Sequence, residues 1–180
     1  MNAMLPYWNE RYKARKRLPG GKMSAFKLEV VQEIVDRLNI ESVIDYGCGT
    51  GITLAGLRVD RYIGLDFSPV AIEMAQQQYA GHSRIYLTTP AYVGAELAVS
   101  LDVVMHLPDG DFEAYIGSLF DMASRYVLIY GPNTDEPNKA PHMFNRRFVE
   151  WIEEHTHRVP VDVVPNRYED KVSAFYLYRV

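Results

Sequence analysis

The chain has 180 residues, of which 48% are hydrophobic, and its formal net charge at pH 7 is −4. This length and composition predict a single globular domain over residues 1–180 with enough apolar side chains for a core. A membrane-spanning chain is excluded because no apolar run approaches the ~18 residues that cross a bilayer. The acidic net charge also argues against a general nucleic-acid binder.

The cysteine content and the N-terminal residues predict a cellular location. The single cysteine, Cys48, excludes an intrachain disulfide and is typical of a reducing compartment. The first residues lack the apolar region of a signal peptide, because charged side chains begin at Glu10. Both observations predict a cytoplasmic protein.

Positive charge is concentrated at the N-terminus, where residues 1–27 contain seven Lys or Arg side chains and one acid. A basic arm on an acidic body can contact an anionic substrate or RNA, or it can fold against its own acidic domain. The second interpretation is favoured, and the first leaves a nucleic-acid partner open.

The first predicted elements are an aromatic N-terminal segment and a helix. Residues 6–21 begin with several aromatic side chains and end in the breaker Leu18-Pro19-Gly20-Gly21. Ser24 is a plausible N-cap for a helix to Leu38, and apolar residues recur every four positions from Phe26 onward. This helix is predicted to cover a sheet.

A buried strand over residues 42–46 runs into a loop with glycines at alternate positions, Gly47, Gly49 and Gly51. Glycine allows positive φ and has no Cβ, so a ligand can lie against such a backbone. In open α/β sheets, ligands bind beyond the carboxyl ends of the strands. The loop is therefore a candidate cofactor site, although Ile52 stands where a dinucleotide fingerprint has its third glycine.

Two acids flank this loop in a pattern that describes the ligand. Asp45 places a carboxylate at the tip of the first strand, where it suits a cation or the ammonium of an amino acid. Nineteen residues after Gly47, a second strand ends in Asp66, which can bind both hydroxyls of a ribose. A helix beginning over residues 52–57 would present free N–H groups to a carboxylate. Together these features predict a pocket for an amino acid joined to a nucleoside.

The rest of the chain continues to alternate between helices and strands, which predicts an α/β fold. The predicted elements are a helix from Ser68-Pro69 to about Tyr79, strands over 84–88 and 97–101, a helix capped by Asp111 through Ala123, a strand over 125–130, a proline-rich loop over 131–145, a helix capped by Asn145 over 146–155, and two strands over 159–164 and 173–180. Asp102 follows the fourth strand and His106 comes four residues later.

The spacing Asp45-x-Gly47-x-Gly49-x-Gly51, followed by Gly64-Leu65-Asp66, resembles the first two motifs of class I S-adenosylmethionine-dependent methyltransferases. Several other segments resemble a small, substrate-undefined branch of that superfamily: 7–12, 25–27, 100–104, 106–107, His142 and 145–148. The resemblance implies a Rossmann-like seven-stranded mixed sheet, mostly parallel with a terminal antiparallel strand and with helices on both faces. It also implies methyl transfer to an oxygen or nitrogen nucleophile, S-adenosylhomocysteine as the product, and no metal.

The resemblance also implies roles for residues at the cofactor site. Asp45 and the three glycines would hold the methionine end and Asp66 the ribose, and Cys48, Phe67, Thr89 and Leu101 would line the same pocket. Cys48 is interpreted as a small loop residue, since no base lies near it in sequence. The family usually has an acid after the third strand to hold the adenine amino group, whereas this chain has Thr88, Thr89 and Pro90. Adenine would then be bound by a threonine hydroxyl or by the backbone of 91–92.

For the acceptor, the resemblance implies a site bordered by Asp102, His106 and His142, with a small molecule as the substrate. His106 is favoured over His142 as the base, and a polar cap at the start of a connection is the alternative role for His106. Arg146 could clamp an anionic group of the acceptor. Residues 1–23 would be an arm or a lid over the cofactor, and a terminal helix packed on the sheet is the equal alternative.

Two functions of other classes stay open. One is a catalytically silent domain that binds S-adenosylmethionine for regulation, which the missing acid near Thr89 makes plausible. The other is a NAD-dependent oxidoreductase, which the glycine pattern and Asp45 disfavour. His155 and His157 are not interpreted as metal ligands, because the side chains of residues two positions apart near a helix end do not converge.

Overall fold

The computed structural model of the protein describes residues 4–14, 21–89, 93–138, 140–168 and 172–180. Helices and strands alternate along the chain, as the sequence predicts. They are α1 (Leu5–Lys13), α2 (Lys22–Leu38), β1 (Ser42–Tyr46), β2 (Arg61–Asp66), α3 (Pro69–Gln78), β3 (Ile85–Thr88), β4 (Ala95–Leu101), a 3₁₀ helix (Val104–His106), α4 (Asp109–Asp121), β5 (Ala123–Pro132), α5 (Phe148–Thr156), β6 (Pro160–Pro165) and β7 (Ser173–Arg179).

The strands form one seven-stranded sheet in the order β3-β2-β1-β4-β5-β7-β6. Strands β1 to β5 pair in parallel, and β7 pairs antiparallel with both β5 and β6. The predicted mixed sheet is therefore confirmed. Because parallel strands end at the same edge, the ends of β1, β2 and β4 bring the glycine loop, Asp66 and Asp102 together.

Helices cover both faces of the sheet, as predicted. Apolar side chains of α2 and α3 pack on one face and those of α4 and α5 on the other. The predicted start of α3 is also confirmed, because the Ser68 hydroxyl accepts a hydrogen bond from the backbone N–H of Ala71 at 3.2 Å. None of the helices in the ranges given above is long and apolar enough to span a membrane.

The prediction of a helix at residues 52–57 is wrong. This segment forms turns, in which the N–H of Leu57 bonds to the carbonyl of Leu54 at 3.0 Å. Side-chain contacts with α2 replace helical hydrogen bonds: Gln32 accepts from the N–H of Arg58 at 2.8 Å and donates to its carbonyl at 3.2 Å. No helix N-terminus is therefore present at this place for a ligand carboxylate.

Three predicted helix starts also differ from the structure. Helix α2 begins at Lys22 after Gly21, which has φ 73°, rather than at a Ser24 cap. Helix α4 begins two residues before Asp111, which lies in its first turn. Helix α5 begins at Phe148, and the Asn145 amide donates instead to the carbonyl of Glu136 at 2.8 Å. At α2 the helix follows a positive-φ glycine, and at α5 the amide of Asn145 makes a tertiary contact instead of a cap.

The connection from β3 to β4 contains six residues, 89–94. A crossover that includes a helix takes at least ~10–12 residues. The sheet face formed by Ile44, Ile63 and Leu65 therefore receives no helix from this connection, and α4 is its neighbour instead. Tyr115 of α4 stacks on Tyr46 at the end of β1, with 4.3 Å between ring centroids.

Candidate active site

The glycine loop is built by backbone hydrogen bonds between the ends of β1 and β2. The N–H groups of Gly47 and Cys48 both donate to the carbonyl of Leu65, at 2.7 and 2.9 Å. Gly47 has φ 87°, and a Cβ added there would lie 2.3 Å from Cγ2 of Val103. Glycine is thus required at this position by conformation and by space.

Asp66, predicted to bind a ribose, is held by the same loop. Its carboxylate accepts from the N–H of Gly49 at 2.9 Å and from the N–H of Ser68 at 2.8 Å. Burial raises the pKa of Asp66 to about 6, although these backbone bonds favour the charged form. The carboxylate is therefore oriented before any ligand binds.

Asp45 has a different environment from the one that the sequence suggested. Its carboxylate accepts from the hydroxyl of Tyr62 at 2.8 Å, inside the sheet, and burial raises its pKa to about 7. Asp45 is 2% exposed and is not among the side chains that line the cavity described below. Cys48 is also buried, and this burial raises the pKa of its thiol, as expected for a packing residue.

A cavity of about 50 Å³ lies between α1 and the carboxyl ends of the strands. Its lining includes five of the predicted site residues together with side chains of α1: Trp8, Tyr12, Gly47, Asp66, Phe67, Asp102, Val103, His106 and Leu107. Pockets for small molecules usually have ~300–1,000 Å³. The cavity is therefore too small for a cofactor in this structure. Leu101 is buried beneath it in the core.

Tyr12 forms part of the cavity wall on the side of α1. Its hydroxyl lies 2.7 Å from the place where a Cβ of Gly49 would stand, and burial raises the pKa of this phenol far above its ordinary value. The N-terminal segment thus contains a helix that lies over the glycine loop. Residues 15–20, with Pro19 and Gly20 of the predicted break, are outside the described ranges.

Lys27 is a site residue that sequence reasoning missed. It is 6% exposed, forms an ion pair with Asp102, and places its ammonium 4.6 Å from the centroid of the Tyr130 ring. Asp102 itself has φ 59°, which is unusual for a residue with a side chain. The sequence did contain a signal for a buried role of Lys27, because this lysine follows Phe26 and lies on the apolar stripe of a helix.

His106 and His142 meet at the rim of the cavity, as predicted. Nδ1 of His106 lies 2.8 Å from the carbonyl oxygen of His142, and the two rings stack at 5.4 Å. Trp8 packs edge-on against His106, and Tyr7 stacks on His142, both at 5.0 Å between centroids. Burial lowers the pKa of His106, so its ring is neutral at pH 7.

A second cavity of about 190 Å³ adjoins the first. The two share Gly47, Phe67, Val103 and Leu107 in their walls. The other described residues around the second cavity are Tyr46, Thr89, Asp111, Ala114, Tyr115 and Ser118. Thr89 thus lies beside this cavity rather than the first.

Arg146 does not join the site. Its guanidinium donates to the carbonyl of Leu107 at 2.5 Å and lies 4.2 Å from the centroid of the Phe112 ring, in a groove on the far side of Leu107. His155 stacks on Trp151, with 4.2 Å between ring centroids. Within the described ranges, no group of three or more His, Cys, Asp or Glu side chains could hold a metal ion.

The fold is similar to those of solved methyltransferases. An N-methyltransferase, NodS, from Bradyrhizobium japonicum WM9 in complex with S-adenosyl-L-homocysteine has a TM-score of 0.76 and 15% identity, covering 99% of this chain and 98% of that one. Magnesium protoporphyrin IX methyltransferase (ChlM) from Synechocystis PCC 6803, with bound SAH, has a TM-score of 0.74 and 15% identity, covering 98% and 97%. At such identities the likeness shows the fold.

A third structure, Burkholderia thailandensis 1,6-didemethyltoxoflavin-N1-methyltransferase with its acceptor and S-adenosylhomocysteine, has a TM-score of 0.73 and 14% identity, covering 98% of this chain and 86% of that one. No curated protein matches the chain. A family model described as a methyltransferase domain matches residues 11–162, which include both motifs and every side chain of the first cavity except Trp8. The chain therefore belongs to the methyltransferase family.

Proposed function

We propose that the protein transfers a methyl group from S-adenosylmethionine to an oxygen or nitrogen nucleophile on a small molecule. The observation that carries this proposal is the first cavity, which places a neutral histidine, His106, in the same wall as Gly47 and Asp66. A base and a nucleoside-binding loop are thus brought together at the ends of β1, β2 and β4.

The residues of the loop fit this cofactor. Gly49 has no Cβ, so a group can approach its backbone closely, as the Tyr12 hydroxyl does here, and Asp66 presents a preoriented carboxylate for the ribose hydroxyls. Phe67, next to Asp66, supplies an apolar wall. The cofactors bound in the similar structures, S-adenosylhomocysteine in NodS and in ChlM, support the same choice.

The methionine end is assigned to Asp102 rather than to Asp45. Asp102 lines the cavity and is 43% exposed in its side chain, so its carboxylate is available to an ammonium group. Lys27, behind it, is 8% exposed in its side chain and holds Asp102 in place. Asp45 in this proposal supports β1 and the loop through Tyr62.

When bound, S-adenosylmethionine supplies a methyl group on a positively charged sulfur. His106 removes the acceptor's proton in this proposal. Its Nδ1 must donate to the His142 carbonyl, because a carbonyl only accepts, and the lone pair is then on Nε2. The lowered pKa keeps that nitrogen unprotonated at pH 7. His142 is thus a positioning residue for His106.

A small acceptor follows from the space that the fold leaves. Among the described residues, α1 and the segment 133–147 border the first cavity from outside the sheet and its covering helices, through Trp8 and His142, and these parts would shape a small acceptor site. The names of two similar proteins refer to small acceptors, a magnesium porphyrin and 1,6-didemethyltoxoflavin, which supports the proposal. The buried lone thiol of Cys48 supports a cytoplasmic location.

The test is turnover of S-adenosylmethionine with a mixed library of phenols, carboxylic acids and amines, followed as S-adenosylhomocysteine by mass spectrometry. Once an acceptor is found, His106→Asn keeps a donor for the His142 carbonyl but has no basic nitrogen. Its rate should fall by about 10²-fold or more, while His157→Ala, at the far end of α5, should keep full activity. Full activity of His106→Asn with normal cofactor binding would show that alignment alone drives transfer.

A catalytically silent cofactor-binding domain is the second candidate. Thr89 favours it, because this residue stands where the family usually has the acid that holds the adenine amino group. Binding of S-adenosylmethionine with no product from any acceptor class would support this candidate. Binding of NAD instead, measured by calorimetry, would contradict both.

A further inference from the structure

The second cavity lies where β3 ends without the acid that the family pattern leads one to expect. The short connection after Thr89 leaves α4 as the nearest helix, and α4 is fixed there by Tyr115. The hydroxyl of Tyr115 is 2.7 Å from both the carbonyl of Tyr46 and the hydroxyl of Ser100. Side chains of the first turns of α4 can therefore contact a ligand that is bound at the carboxyl ends of the strands.

One carboxylate stands in the described wall of this cavity, that of Asp111 in the first turn of α4. The residues 90–92 that follow Thr89 are Pro, Ala and Tyr, so the connection adds no acid of its own. The remaining polar groups are hydroxyls of Thr89, Ser118 and the tyrosines. The wall thus offers one strong acceptor for a donor group and several hydroxyls.

The size and position of the cavity suit a nucleobase. At ~30 Å³ per water molecule, a volume of 190 Å³ corresponds to about six waters, which is the scale of a bicyclic base. Phe67 and Val103 form walls of both cavities. A nucleoside whose ribose is bound by Asp66 therefore has its base next to Phe67, at the entrance of the second cavity.

We propose that the second cavity holds the adenine of the cofactor and that Asp111 accepts a hydrogen bond from its exocyclic amino group. Asp111 on α4 thereby replaces the missing acid after β3. This inference rests on the proposed function, since it requires S-adenosylmethionine as the ligand. The same carboxylate rejects a 6-oxo purine, because two acceptors would then face each other.

The chemical test compares two ligands that differ at that atom, S-adenosylhomocysteine and S-inosylhomocysteine, by calorimetry. The unaltered protein should bind the adenosyl compound at least ~10-fold more tightly, the scale of a hydrogen bond to a charged group. Asp111→Asn should remove this preference, since an amide can turn its NH₂ toward the 6-oxo group. Glu113→Gln, two residues further along α4 and outside the cavity, should leave the preference unchanged.

Three outcomes would overturn the proposal. The first is an unchanged preference in Asp111→Asn. The second is an equal loss of both ligands in a variant that melts at the normal temperature, since Asp111 would then act on the cavity as a whole. The third is loss of the preference in Thr89→Val but not in Asp111→Asn. Failure of the unaltered protein to bind either ligand would instead contradict the proposed cofactor.

Discussion

The two halves of the candidate site are built in different ways. In the cofactor half, the contacts join segments that follow each other in the chain, and most of them use the backbone, as in the bond from Gly49 N–H to Asp66. In the acceptor half, side chains from separate segments meet: Trp8 of α1, His106 after β4 and His142 of the long loop. The ion pair between Lys27 and Asp102 lies between the two halves. The first half depends on conformation and space, and the second on ring packing.

The largest effect is expected from adding a methyl group to the cofactor half. Gly47→Ala would place a Cβ against Val103 in a left-handed conformation. Strain of ~1–2 kcal/mol and overpacking of ~1–3 kcal/mol should lower the free energy of unfolding by about 2–5 kcal/mol. Urea unfolding followed by circular dichroism measures this change.

Gly117→Ala is the matched control for this substitution. Gly117 lies inside α4 with open space around it, so alanine should raise the unfolding free energy by up to ~1 kcal/mol through helix propensity. A loss of stability below ~1 kcal/mol in Gly47→Ala would mean that Val103 moves aside easily and that the loop is not sterically fixed.

The ion pair between Lys27 and Asp102 should respond to the loss of charge, and unequally for its two partners. Asp102→Ala leaves the buried Lys27 without a carboxylate and should lower the unfolding free energy by about 3 kcal/mol. Lys27→Met should cost less, because the side chain of Asp102 is 43% exposed and can be hydrated. Equal losses in the two variants, measured in urea at pH 7, would show that Asp102 matters for packing rather than for compensating a buried charge.

The difference between the halves also explains what the sequence could predict. The glycine loop and Asp66 follow from spacing, because their contacts lie within one strand–loop–strand segment. Lys27 was missed because its partner is 75 residues away, and Asp45 was predicted in the pocket although it faces Tyr62 inside the sheet. The helix expected after the loop failed for a similar reason: Gln32, on another element, takes the hydrogen bonds of Arg58.

A pH dependence of stability should come from the buried acids of the cofactor half. Burial raises the pKa of Asp45 from 3.8 to about 7, so the folded state favours the protonated acid. The resulting stabilisation is fully present below pH ~4 and is lost as the pH rises through about 7. The protein should therefore lose unfolding free energy over this range.

Asp45→Asn isolates this contribution, because the amide oxygen can still accept from Tyr62 but does not titrate. The difference in unfolding free energy between this variant and the unaltered protein should grow in favour of the variant from pH 5 to pH 8. A constant difference across that range would show that the carboxyl keeps the same charge throughout and that burial does not control it. The comparison cancels titrating groups that do not interact with Asp45, among them His106.

The smallest effect on stability is expected from a substitution in α1, which lies against both halves. This substitution should instead change the rate at which the cofactor associates. The ring of Tyr12 lies over Gly49 and lines a cavity of about 50 Å³, which is too small for a cofactor, so we expect this ring to move when a cofactor binds. Binding that requires such a movement associates slowly. In Tyr12→Ala, S-adenosylhomocysteine should associate several-fold faster, which quenching of Trp8 fluorescence in a stopped-flow experiment measures.

Tyr7→Ala is the control, because Tyr7 stacks on His142 and does not line the cavity. Equal acceleration in both variants would mean that release of the whole helix limits entry, and hydrogen exchange of residues 5–13 would then rise in both.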